Sequence, residues 1–337
     1  MAMILAVTLN AALDVTYEIG ELERGGSHRV QTVRERAGGK GINVARVAHA
    51  LGCEVTATGL AGGAVGELIR DDLHRSEVNH DLVSVSGTSR RTLTVVETGS
   101  GEATVLNEAG PHVRPEEWQA FLRHFDALAA SASIVVLSGS LPPGVPSDAY
   151  AELVRRTPGQ VVLDADGTAL AEGVRGRPDV VKPNADELAR ATAGTGGERH
   201  PAERAREHRG GGVGRAEELW GDEVRGVVGR AQELRAAGGG AVLVSLGAGG
   251  MVAVTSEGVW RAVPPGAVVG NPTGAGDAAV AATARALMLG RPWDELLRDA
   301  VALSAAAVAA PVAGDFDPDL YARLLPEIAI EGFSCPS

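Results

Sequence analysis

The run Pro272-Thr273-Gly274-Ala275-Gly276-Asp277 leads directly into Ala278–Leu287, a stretch of small and apolar residues that predicts a helix. A glycine turn at a helix start presents unpaired backbone amides. With the helix dipole behind them, such amides can stabilise negative charge on a transferring phosphoryl group. A carboxylate beside them, here Asp277, can take a proton from an attacking hydroxyl. The same four residues also suit a plain glycine turn whose aspartate caps or complements a helix N-terminus, and on their own they support either reading.

A second glycine turn, Gly38-Gly39-Lys40-Gly41-Ile42-Asn43, also opens a helical pattern. A sugar could lie against that backbone, with Lys40 meeting a phosphate and Asn43 a hydroxyl; the alternative is a tight helix entry with Lys40 in solvent. In Val181-Lys182-Pro183-Asn184-Ala185-Asp186-Glu187-Leu188, Asn184 and Glu187 stand three apart on one face. Their oxygens suit Mg²⁺ held through water, and they equally suit a capping box. Ser138-Gly139-Ser140 precedes a Pro-Pro turn, its two hydroxyls free to bind substrate or to cap. Ser245-Leu246-Gly247-Ala248-Gly249 follows an apolar run as a nucleotide-phosphate loop or a hairpin turn would. Arg90 begins an alternating strand, where a guanidinium can grip phosphate or simply be solvated.

Other chemistries lack support. No Gly-x-x-x-x-Gly-Lys-Ser/Thr and no clean Gly-x-Gly-x-x-Gly occurs. The eight histidines and the distant Cys53 and Cys335 make no metal or disulfide spacing. A net charge of −12 argues against a nucleic-acid partner. No apolar run approaches the roughly 18 residues of a membrane span, and no export signal is evident, so a cytoplasmic protein is expected.

These residues need a scaffold. Short β-rich runs at 3–8, 134–137, 161–163, 179–182 and 241–245 alternate with helical patterns at 43–51, 115–130, 147–155 and 278–289. That order predicts an α/β domain with a mostly parallel sheet covered by helices, whose ligands bind at the carboxyl ends of the strands. Segments 14–36 and 88–107 alternate instead, as half-buried antiparallel strands would, and predict a small β-sheet lid. Residues 1–13, 37–87 and 108–330 then form the main domain, with the Gly-, Arg- and Glu-rich 194–216 a flexible insertion.

In this order the motifs resemble the ribokinase-like, or PfkB-type, carbohydrate kinases over residues 3 to about 314. The resemblance implies a three-layer α/β/α fold, with ATP and Mg²⁺ as cofactors. It also implies a base at Asp277 and an anion hole at Gly274, Ala275 and Gly276. Metal would be held near Asn184 and Glu187, and nucleotide phosphates by Lys182, Ser245, Gly247 and Gly249.

Thr8-Leu9-Asn10-Ala11-Ala12-Leu13-Asp14 and Leu106-Asn107-Glu108-Ala109-Gly110-Pro111 are similar to motifs of the branch containing 1-phosphofructokinase, tagatose-6-phosphate kinase and the minor 6-phosphofructokinase. By that likeness Asp14, Gly38, Gly39, Asn43 and Asn107 would meet the sugar. Lys40, Arg90 and Ser140 would lie at the phosphate it already carries. The expected substrate is fructose 1-phosphate, then tagatose 6-phosphate or fructose 6-phosphate, and the expected assembly is a homodimer through the lid. Ala11 and Ala109 replace prolines of the branch, Ala278 replaces a common serine, and Thr92 replaces a lid asparagine, which bears on substrate choice.

Overall fold

The computed structural model describes residues 2–193 and 220–334. The proposed insertion at 194–216 and Cys335 lie outside them. The strands are β1 (Ile4–Thr8), β2 (Ala12–Ile19), β3 (Thr32–Gly38), β4 (Val55–Gly62), β5 (His80–Val85), β6 (Arg90–Glu97) and β7 (Ala103–Asn107). They continue with β8 (Ile134–Ser138), β9 (Gln160–Asp164), β10 (Val180–Val181), β11 (Ala241–Ser245), β12 (Met251–Val254), β13 (Gly258–Val263) and β14 (Ala329–Ser334).

The larger sheet runs β14-β13-β12-β11-β10-β9-β8-β1-β4-β5. It is parallel from β11 to β5 and antiparallel from β11 to β14. Its central strands are continuous apolar runs because helices cover both faces. Alternation along β1 makes the layers explicit. Ile4 and Ala6 join one core with the helices Lys40–Ala50, Ala275–Met288 and Trp293–Val308, whereas Leu5 and Val7 join another with Pro115–Ala129, Ala149–Arg156 and Asp222–Ala236. The result is three layers.

Two helices start earlier than periodicity suggested. Gly39 (φ 101°) and Gly274 (φ 88°) take left-handed conformations that turn the chain sharply into Lys40–Ala50 and Ala275–Met288. Lys40 and Asp277 are therefore residues of first helical turns, rather than of the loops before them. Ala275–Met288 is buried on almost every side, and its many alanines let neighbouring helices approach closely.

The smaller sheet has the order β3-β2-β6-β7. Its central pair, β2 and β6, is parallel, which corrects the expectation of an antiparallel sheet; only the flanking pairs β2–β3 and β6–β7 are antiparallel. The cause is topological. β2 follows β1 and β6 follows β5, so both leave the same carboxyl edge of the parallel sheet and run in the same direction, a fact that alternation within each strand does not encode. One face, bearing Leu13, Val15 and Leu93, packs against the main core; the other faces a cleft.

Candidate active site

The cleft lies between the small sheet and the carboxyl ends of the parallel strands, where an open α/β sheet places ligands. It encloses about 920 Å³, and a neighbouring cavity of about 490 Å³ shares Gly39, Lys40, Arg90, Asn107 and Glu187 with it.

Gly274, Ala275, Gly276 and Asp277 all line the larger cavity. Gly274 needs its glycine: beyond its positive φ, a Cβ there would sit 2.9 Å from the Cα of Ala313. Asp277 is buried, and its Oδ2 accepts a hydrogen bond of 2.8 Å from Asn43 Nδ2. Burial pushes the Asp277 carboxyl up to about 7, and the nearby Asp164 carboxylate adds to the rise, against the pull of Lys40, Asn43 and Lys182. A carboxyl poised there can act as a general base near neutral pH. Asn43, expected at a sugar hydroxyl, lines the same cavity and spends its Nδ2 on this carboxylate.

Asp164, the last residue of β9, was not singled out in the sequence. It is 1% exposed; its Oδ1 lies 3.3 Å from Lys40 Nζ and 3.4 Å from Lys182 Nζ, and its Oδ2 is buried without a partner. A carboxylate closing a buried parallel strand was the available signal. Lys40 Nζ also lies 3.7 Å from Glu187. Burial draws the Lys40 pKa down, but the carboxylates of Asp164, Glu187 and Asp277 outweigh it and hold the ammonium above its ordinary range. Lys40 is thus a half-buried member of a charge cluster with Asp164 and Glu187. Lys182, unlike the partly exposed Lys40, is buried, and a Cβ on Gly276 would lie 3.5 Å from its Nζ, so the ammonium stands over the Gly274–Asp277 turn.

Asn184 and Glu187 form the capping box of Ala185–Thr192: Asn184 Oδ1 accepts from the Glu187 amide and Glu187 Oε2 from the Asn184 amide, both at 2.8 Å. The cap leaves Glu187 Oε1 facing Lys40, and both residues line the larger cavity. The local and the site-facing readings of this motif therefore coexist. The same holds for 245–249. The segment is the turn of the β11–β12 hairpin, and Ser245, Gly247 and Ala248 line the cleft; Gly249 is not on its wall, where Gly250 is found instead.

On the small sheet, Asp14, Thr92, Arg90, Asn107, Arg34 and Arg36 face the cleft. Gly38 is not on the wall; its role is to leave room for Asp14, since a Cβ there would sit 1.9 Å from Asp14 Oδ2. Burial pushes the Asp14 carboxyl up to about 6 against the Thr92 hydroxyl and the guanidinium groups of Arg90, Arg36 and Arg46. Arg36, another residue not anticipated, donates to the Ala313 carbonyl at 3.3 Å and so joins this sheet to the loop behind Gly274. Ser140 lines the smaller cavity and accepts from Asn10 Nδ2 at 3.1 Å.

Residues 5–320 match the model of the pfkB family carbohydrate kinases. The chain belongs to this family. The carbohydrate kinase is 28% identical to phosphofructokinase-2 from Escherichia coli, solved in its tetrameric inhibited form, with 97% of this chain and 99% of that one covered and a TM-score of 0.81. A possible 1-phosphofructokinase from Thermotoga maritima is 24% identical (98% and 99% covered, TM-score 0.81), and a ribokinase from the same organism 18% identical (97% and 99% covered, TM-score 0.72). These last two share the fold, which is ribokinase-like. The kinase is an ATP-dependent sugar kinase. No helix among its described residues is long and apolar enough to cross a membrane.

Proposed function

We propose that this kinase transfers the γ-phosphoryl group of ATP to a hydroxyl of a phosphorylated ketohexose, fructose 1-phosphate first, giving fructose 1,6-bisphosphate. The observation that carries the reading is the pair of joined cavities. One holds the anion turn and Asp277; the other, reached past Lys40 and Arg90, offers Ser140, Asn107 and two cations to a second phosphate. Fructose 6-phosphate is the second reading, favoured by the likeness to the E. coli phosphofructokinase-2.

In this reading Asp277 accepts the proton of the acceptor hydroxyl as its oxygen attacks the γ-phosphorus. The bond from that phosphorus to the β-phosphate oxygen breaks, and ADP leaves. The amides at 274–277 and Lys182 take up the charge that develops on the phosphoryl oxygens, while the 245–250 turn borders the nucleotide phosphates. An all-oxygen donor set, comprising the unpartnered Asp164 Oδ2, the Glu187 Oε1 that faces Lys40 and the Asn184 amide oxygen, fits a hard divalent cation. Mg²⁺ held there would neutralise phosphate charge. The small sheet closes the cleft as a lid and excludes water, which limits wasteful ATP hydrolysis. Its exposed strand β7 and the outward Val33 and Leu106 support a homodimer through the lid.

The test is initial ADP-formation rates with Mg-ATP against fructose 1-phosphate, tagatose 6-phosphate, fructose 6-phosphate and the free sugars at subsaturating concentrations. A preference for fructose 1-phosphate is expected. Turnover of free sugars alone would remove the second-phosphate site from the proposal, and no turnover of any sugar would point to a sugar-phosphate sensor on the same fold.

A further inference from the structure

Arg36 stands on the cleft face of β3, one residue before a point at which the small sheet is fixed to the main domain. The Ala37 amide donates to Asp72 Oδ2 at 2.8 Å; Asp72 belongs to the helix Gly63–Arg75, and the same oxygen accepts from Arg46 of the Lys40–Ala50 helix. Antiparallel register sets Arg36 opposite Asp14 on β2. From there the Arg36 Nη1 donates to the Ala313 carbonyl at 3.3 Å and lies 3.9 Å from Asp315 Oδ2. The segment it reaches has little slack. A Cβ on Gly274 would lie 2.9 Å from Ala313 Cα and 3.2 Å from the Gly314 nitrogen, while a Cβ on Gly314 would lie 3.0 Å from Asn43 Oδ1 and 3.1 Å from Arg46 Cδ. Residues 313 and 314 are thus wedged between the 274–277 turn and Asn43, whose Nδ2 is itself bonded to Asp277 at 2.8 Å. A close-packed wedge transmits displacement instead of absorbing it, and Arg36 ties the small sheet to that wedge.

We infer that Arg36 is a positioning residue for phosphoryl transfer: acting through Ala313, it makes the placing of the 274–277 turn depend on the sheet that carries Asp14. The parts played by the turn and by Asp14 rest on the function proposed above; the hold of Arg36 on the segment behind the turn does not. With the contact made, the turn and the small sheet are kept in one arrangement, and the turn's amides need no realignment as charge develops on the phosphoryl oxygens. With it broken, β3 keeps its pin at Ala37 and the amides remain in place but are less firmly aimed, which costs turnover more than it costs binding.

The experiment compares the full-length wild type with Arg36→Met, which keeps an apolar stem and removes the donors, with Gly274→Ala, and with the double variant. Steady-state ADP formation is followed with Mg-ATP and fructose 1-phosphate. Hydrogen–deuterium exchange is measured in parallel, without any ligand, over peptides spanning 272–282 and 309–316. For Arg36→Met we expect kcat to fall about tenfold, the size of one hydrogen bond from a charged donor. Both KM values should stay within about threefold, as a change confined to the transition state requires. Exchange should quicken in those two peptides and not in Pro115–Ala129, which packs on the opposite face of the large sheet. Because both substitutions act on one turn, Arg36→Met should cost the Gly274→Ala protein less than about twofold further. Wild-type kcat with unchanged exchange would overturn the inference. So would a loss confined to the sugar-phosphate KM, which would make Arg36 a substrate-binding residue, or losses that multiply in the double variant, which would make it independent of the turn. If Gly274→Ala keeps the wild-type kcat, or no protein turns over the sugar phosphate, the function proposed above fails instead. The exchange measurement then decides the contact alone: peptides 272–282 and 309–316 that exchange alike in the wild type and Arg36→Met would overturn it.

Discussion

In the proposed reaction Asp277 is a buried carboxyl that accepts a proton, and its surroundings suit both demands. With burial holding it at about 7, kcat should climb as pH rises through neutrality and level off above, which a pH-rate profile would measure. Asp277→Asn should lower kcat by about three orders of magnitude while calorimetry still detects nucleotide binding. The same residue has a stability signature. Its folded pKa lies above the ordinary 3.8, so the folded chain retains a proton that the unfolded chain releases, and stability falls as pH climbs from about 4 to about 7. Asp277→Asn should therefore melt higher than the wild type at pH 8, with the gap closing toward pH 4 in a thermal-denaturation series. The glycine turn ahead of a helix, with Asp277 beside it, could be read from adjacent residues. Asp164 could not, because what defines it is contact with Lys40, 124 positions away, and with Lys182.

At the scale of elements, each glycine turn fixes where a helix begins and therefore which side chains reach the cleft. Gly274→Ala combines an unfavourable φ with a close approach to Ala313, so the anion turn should shift while the buried body of Ala275–Met288 holds. We expect about a hundredfold lower kcat, the scale of losing one oxyanion donor, with far-ultraviolet circular dichroism unchanged. Elements also show why some motifs read two ways. Asn184-x-x-Glu187 serves as a helix cap with one oxygen from each side chain and presents the remaining carboxylate oxygen to Lys40; Ser245–Gly249 is at once a hairpin turn and a cleft wall. Local spacing reveals the cap or turn, and only the assembled fold reveals what the other side of it touches. The parallel β2–β6 pair was hidden for a similar reason, since strand direction is set by the edge from which each segment departs.

The whole molecule presents an unusual surface on its small sheet. Strand β7 is exposed along its length, and Val33 and Leu106 are more than half exposed on the face away from the cleft. If that surface joins two copies, Val33→Glu with Leu106→Glu should shift the sedimentation coefficient toward the monomer and weaken sugar binding more than ATP binding.

The cleft face of the same sheet has a different consequence. Arg34, Arg36 and Arg90 stand together on a protein whose net charge is −12. An anionic ligand at a distance meets repulsion from the whole molecule, whereas one at the cleft mouth meets three guanidinium groups, of which Arg34 is paired with Glu18 at 2.8 Å and Arg36 with Asp315 at 3.9 Å. The first field reaches roughly 30 Å at 0.01 M salt but only about 8 Å at 0.15 M. Adding salt should therefore first strip away the repulsion and only later weaken the local attraction, so that stopped-flow association rates pass through a maximum with ionic strength instead of changing in one direction.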